Sequence, residues 1–191
     1  MPLYKKSTDI LIEKEDVDAL CKKATDPQQP ILITLLYLVG PRPKEMTLIK
    51  KDHFSIHSNV MQITVPRSKG GFERTIEYGK DSLFMDIIIP YIEGLNRESL
   101  FTFKTSERVK QIVYKLSVNR LMPYNFRHSR SMKLARLGAN SYELMLFRGT
   151  RDADSVIPYV MHSGLISEID PRLKDRWLLE TPTFLRRRLI G

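Results

Sequence analysis

Apolar residues recur along most of this chain at the three-to-four-residue spacing of helices, and over one short stretch they switch to strict alternation. Residues 9–26 are predicted helical: Glu13 to Asp16 enrich the first turn with acid, and Val17, Leu20 and Cys21 fall at core spacing. Ile31 to Val39 is apolar on nearly every side, the pattern of a helix through the middle of a core and too short to cross a bilayer. It ends at Gly40-Pro41-Arg42-Pro43, after which Lys44 to Ile49 is expected to start another helix with proline in its first turn. Met61, Ile63 and Val65 alternate with Gln62 and Thr64, and Phe72 to Tyr78 alternates again. This predicts a hairpin around Arg67-Ser68-Lys69-Gly70-Gly71, with Ser55 to His57 as a short third strand.

Helical spacing returns from Asp81 to Leu95, with a kink at Pro90, and again at Val109, Ile112, Val113 and Leu116. Between them Leu100, Phe101 and Phe103 read as a short buried extended piece. Met132, Leu134, Ala135 and Leu137 mark an amphipathic helix whose entrance carries Pro123-Tyr124-Asn125-Phe126-Arg127-His128-Ser129-Arg130. Gly138-Ala139-Asn140 closes it, and Ser141 is placed to cap the next helix, through Leu144, Met145 and Phe147. In a further short helix, capped by Asp152 or Asp154, Val156, Ile157, Val160 and Met161 form an apolar arc that leaves Tyr159 outside it. Pro158 lets that helix start only just before the tyrosine. The fold class is therefore mainly α with a small antiparallel β-sheet or hairpin.

Composition narrows the function. The 191 residues carry 31 Lys and Arg against 22 Asp and Glu, a net charge of +9 that suits a polyanionic partner. A single cysteine, Cys21, excludes an internal disulfide, fits a reducing cytoplasm and reads as a small buried hydrophobe. The four histidines, His53, His57, His128 and His162, lack ligand spacing, and the amino terminus lacks the apolar run of a signal peptide. Two arginines, a histidine and a tyrosine within eight residues at a helix entrance suit a phosphate, since guanidinium forks and helix N-termini both favour negative charge.

Arg42 in a rigid turn, Lys69 on a hairpin tip, Arg127 at a helix entrance and Tyr159 on a late helix resemble, in order and setting, the tyrosine recombinases of the phage-integrase family. Gly40 to Glu45 matches the family's turn, whose arginine is followed three residues later by glutamate. The His-x-x-Arg-His box aligns with Tyr124-Asn125-Phe126-Arg127-His128, and the Gly-His pair nine residues before the nucleophile aligns with Gly149-Thr150. Tyr124 and Thr150 thus stand where the common pattern has histidines, and the Tyr-x-x-Arg form looks like integrases from archaeal plasmids and viruses. The resemblance covers roughly residues 10–165, implying a catalytic domain over 1–165 and a C-terminal tail over 166–191, either exchanged between protomers or folded back.

The resemblance implies the DNA breaking-rejoining fold and a site-specific recombinase. Tyr159 would attack a DNA phosphodiester to give a 3′-phosphotyrosyl enzyme and a free 5′-hydroxyl, so neither nucleotide cofactor nor metal is required. Arg42 and Arg127 would hold the non-bridging oxygens, and Lys69 would protonate the leaving oxygen. Tyr124 would donate a hydrogen bond to the phosphate, and His128, Arg130, Arg148, Thr150 and Arg151 would supply further DNA phosphate contacts, while Glu45 orients an arginine. The implied partner is double-stranded DNA at a specific attachment site, bound in the cytoplasm by a homo-tetramer with no membrane contact. Two alternatives stay open: relaxation of DNA in the manner of type IB topoisomerases, and a DNA-binding module of the same fold that has lost catalysis.

Overall fold

A computed structural model describes residues 10–68, 70–163 and 171–190, with the side chains of 171, 173 and 174 outside the description. Its centre is the helix read from sequence as buried throughout, α2 (Gln28–Val39), in which every residue from Ile31 to Val39 is buried. Within that run Thr34 turns its hydroxyl back onto the carbonyls of Pro30 and Ile31, so this buried donor is not left unpaired. Truncating Leu35, which is 0% exposed, to alanine would cost about 2–5 kcal/mol through lost burial and the cavity left behind. Around α2 pack α1 (Lys14–Lys22), α4 (Met85–Glu93) and α6 (Pro123–Arg136), with α5 (Ser106–Leu116) against α6 and the single turn α3 (Pro43–Met46).

The β region is a three-stranded antiparallel meander, β1 (Phe54–His57), β2 (Val60–Val65) and β3 (Arg74–Gly79). Met61, Ile63 and Val65 of β2 face inward opposite Tyr78, Ile76 and Arg74 of β3, so the alternation seen in sequence sets the register. The connection between β2 and β3 is longer than expected, because β3 begins at Arg74 and Phe72 instead bonds the carbonyl of Gly149. The chain ends in α7 (Ser141–Arg148), α8 (Ile157–Met161), α9 (Pro171–Leu178) and α10 (Thr183–Ile190). Trp177 and Leu185 bury themselves against the same chain, and Arg186 and Arg188 pair with Asp81 and Glu143. Among the described residues, no helix is long and apolar enough to cross a membrane.

Several local expectations change. The segment after Pro43 forms one turn of helix instead of a run to Ile49. Asn140, not Ser141, caps α7, its side chain accepting from the Glu143 amide while Glu143 reaches back to the Asn140 amide. The arginine box lies inside α6 and not at its entrance, because Pro123 is the first residue of that helix, and residues from Phe126 to Ala135 are buried all round. Cys21 is half-buried, and burial pushes its thiol up to about 11.

Candidate active site

The site is built where the end of α2 meets α6. Gly40 ends α2 in the left-handed conformation, φ +59°, and a Cβ there would come within 3.2 Å of the Arg127 backbone, so a side chain would both strain the turn and press the two elements apart. Arg127 Nη1 donates to the Gly40 carbonyl at 2.7 Å and Nη2 to the Arg148 carbonyl at 2.7 Å. Two of its five N–H donors are thus spent on holding the guanidinium in place, and three remain. Pro41 and Pro43 stiffen the turn that presents Arg42 beside it. Arg42, Arg127, Arg148, Tyr124 and Thr150 line one cleft of about 370 Å³.

Beneath the cleft lies a buried carboxylate. Glu45, 0% exposed, accepts from the Arg42 amide at 2.8 Å and Nη1 at 2.7 Å, from Ser68 Oγ at 3.0 Å and from Arg74 Nη2 at 3.2 Å. Burial works against its charge, but Arg74 and the Arg42 hydrogen bonds outweigh that and hold its pKa below the ordinary carboxylate value. Among the described residues it is the one buried carboxylate amid four guanidiniums, Arg42, Arg74, Arg127 and Arg148. Burial, and then repulsion from Arg148, Arg74 and Arg42, pushes Arg127 well below its usual pKa. Arg74 is lowered too, first by burial, and its Nε and Nη1 have no hydrogen-bond partner. Such a cluster is short of negative charge, which an entering phosphate would supply.

The tyrosine reverses the expected orientation of α8. Tyr159 is buried at 5% exposure, whereas Ile157, Val160 and Met161, expected to face the core, are exposed. The phenol turns inward because polar partners await it there. Its hydroxyl lies 2.9 Å from His128 Nδ1 and 3.3 Å from Arg148 Nη1, with the Arg148 guanidinium 5.0 Å from the ring centroid. Arg148 Nη1 also donates to Ser131 Oγ at 2.6 Å. Burial raises the phenol pKa and the neighbouring Tyr124 adds to this; Arg148 opposes both without cancelling them.

Tyr124, Arg127, His128 and Ser131 stand at i, i+3, i+4 and i+7 on α6, a single stripe. Arg130 lies on another stripe, with Phe126 and Lys133. It is 1% exposed, donates Nε to the Leu38 carbonyl at 3.0 Å and pairs with Glu180 at 3.4 Å, so the structure does not bring it into the cleft. Thr150 is buried at the cleft wall, where its backbone pairs with Gly71, and Arg151 beside it is exposed. Lys69 lies outside the described residues. On either side of it, Ser68 bonds Glu45, and Gly71 sits so close to Arg42 that a Cβ there would come within 3.1 Å of Nη1.

Two cations of the site were not singled out from sequence. Arg74 shares the inward phase of Ile76 and Tyr78, and a charge at a core phase of a strand is a signal for a buried ionic cluster. Lys110 of α5 also lines the cleft, and a lysine on the outer face of an amphipathic helix carries no such signal.

No family model and no curated protein matches this sequence. Solved structures do. XerA recombinase superposes with a TM-score of 0.64 at 14% identity, covering 91% of this chain and 65% of that one. XerH site-specific recombinase bound to difH substrate, in a pre-cleavage complex, gives 0.62 at 12% identity over 80% of this chain and 50% of that one. The same recombinase on a palindromic difH substrate, post-cleavage, gives 0.60 at 13% over 86% and 51%. The chain thus spans 65% of the first protein and about half of the second. The helical core, the three-stranded antiparallel meander and these superpositions assign the chain the fold of the tyrosine recombinase catalytic domain.

Proposed function

We propose that this chain is the catalytic part of a site-specific DNA recombinase that cuts and rejoins DNA through a 3′-phosphotyrosyl intermediate. The observation that carries this reading is the convergence, from distant parts of the sequence, of Arg42, Arg127 and Arg148 on one cleft, with the Tyr159 hydroxyl held by Arg148. In that cleft the phenolic oxygen attacks phosphorus, and Arg42 and Arg127 stabilise the charge that builds on the non-bridging oxygens. Lys69 protonates the departing 5′-oxygen. The covalent bond to tyrosine conserves the phosphodiester energy, and the free 5′-hydroxyl reverses the reaction on the same or another strand. Tyr124, at the mouth of the cleft and 55% exposed, donates to the phosphate; its box resembles the Tyr-x-x-Arg form of integrases from archaeal plasmids and viruses. The partner is double-stranded DNA carrying an attachment site, acted on by a homo-tetramer.

The test is covalent capture. Incubated with a pool of labelled random-sequence duplexes and then denatured, the wild-type chain is expected to retain label, and Tyr159→Phe to retain none. An adduct persisting in Tyr159→Phe would reject the assignment of the nucleophile. Arg127→Ala should lose the adduct by about 10²–10³-fold in rate while keeping most low-salt binding, since one phosphate contact among many is removed. Plasmid relaxation without strand exchange between duplexes would instead favour the topoisomerase-like activity.

A further inference from the structure

The attacking phenol must lose a proton, and the two positions where the resembled pattern places histidines hold Tyr124 and Thr150, neither of which is a base near neutral pH. Tyr159 is 5% exposed, so bulk water does not reach it freely. The proton acceptor has to be a neighbour. Arg148 cannot serve, because a guanidinium has donors and no acceptor. What remains against the hydroxyl is His128, its Nδ1 2.9 Å from the oxygen, its ring 5.0 Å from the phenol ring, and itself 6% exposed. That distance is within the reach required of a general base.

We infer that His128 accepts the Tyr159 proton as the phenol attacks, and that Arg148, braced by Ser131, holds the phenolic oxygen as its negative charge develops. The bracing is specific. Ser131 spends its own proton on the Arg127 carbonyl at 2.9 Å, which leaves its oxygen to accept from Arg148 Nη1 at 2.6 Å. One turn of α6 thereby fixes the phosphate-binding arginine, the base and the support of the third guanidinium. The step balances. The Tyr159 oxygen forms a bond to phosphorus, the bond from phosphorus to the 5′-oxygen breaks, and the phenolic proton moves to Nδ1 of His128. The departing 5′-oxygen takes its proton from Lys69; in the reverse step His128 returns its proton to the phenol. His128 therefore starts with Nδ1 unprotonated. Among the described residues, the titratable and charged groups around the transfer include Arg148 from α7, Tyr159 from α8, and Tyr124 from the same helix.

This inference rests on Tyr159 being the nucleophile, and the experiment separates the two. With the same duplex pool, wild-type adduct formation should rise with pH as His128 gives up its proton. His128→Ala should be slower by about 10²-fold or more, should lose that limb, and should regain rate when imidazole is added. His128→Gln, which keeps size and polarity, should show the same loss at an unchanged melting temperature. Separately and without DNA, the tyrosinate absorbance step that disappears in Tyr159→Phe should move to higher pH in Arg148→Met and return towards the wild type in Arg148→Lys. No adduct from the wild type would reject the nucleophile and the inference with it. Adduct from the wild type at an undiminished rate, with an intact pH limb, in both His128 variants would overturn the base alone. An unmoved Tyr159 titration in Arg148→Met would overturn the role of Arg148.

Discussion

Helix α6 carries buried cations towards two regions of the molecule, and the two are treated in opposite ways. On one stripe Arg130 and Lys133 meet carboxylates. Glu180, 0% exposed, pairs with both, and Lys133 also reaches Glu13 at 2.9 Å and the Tyr37 hydroxyl at 3.0 Å. Tyr37 and Trp177 place their rings over the same ammonium, at 4.8 and 5.4 Å. On the other stripe Arg127 meets Arg42, Arg74 and Arg148, with Glu45 as the one buried carboxylate there among the described residues. A buried cation with its counter-charge is a fastening, here one that ties α9 and α10 to the core. Buried cations in excess suit an anionic ligand, which would supply the charge that relieves them.

The largest effect expected from this contrast is on the balanced side. Glu180→Ala takes the carboxylate partner from buried Arg130 and leaves Lys133 with Glu13 alone, and should cost about 3–5 kcal/mol in urea-induced unfolding; a loss below about 1 kcal/mol would mean that the tail is not fastened there. Next comes the carboxylate of the unbalanced side. Glu45→Gln should cost about 1–3 kcal/mol at neutral pH, since buried donors lose a charged acceptor. Its pH dependence has a definite sign. Glu45 binds its proton less readily folded than unfolded, so its contribution is full above the ordinary carboxylate pKa and is lost as pH falls through the lower, folded-state value. Wild type and Glu45→Gln should therefore converge in stability on acidification, and parallel curves would contradict the shift. The smallest effect is on Arg148→Met, which removes one member of a mutually repelling set. Its stability should stay within about 1 kcal/mol of the wild type, and the rise in melting temperature produced by inorganic phosphate should shrink. A drop as large as that of Arg130→Met would erase the distinction between the two sides.

Arg127 and Arg130 looked alike in the sequence, two arginines in one short basic cluster. Only the stripe formed by Tyr124, Arg127, His128 and Ser131 separates them, and it becomes visible once the helix is known to begin at Pro123. Tyr159 shows the opposite failure. Of the apolar arc Val156, Ile157, Val160 and Met161, only Val156 faces the core and the other three face outward, because the hydrogen bonds of the phenol with His128 and Arg148 compete with hydrophobic burial over a helix of five residues. Periodicity is dependable in proportion to length: α2, with nine consecutive buried residues, was unmistakable, and α8 was not.

By itself, then, the sequence determined the helices with long apolar patterns, the alternating strands, the basic balance and the order of Arg42, Arg127 and Tyr159 along the chain. These are local or additive properties, written in residue spacing and charge. Tertiary structure alone decided which cations are neutralised and which are left in excess, and which way the phenol faces. Glu180 reaches Arg130 across 50 residues of sequence and Gly40 reaches Arg127 across 87. The energy of a buried charge depends on what is folded against it, and no spacing along the chain encodes that.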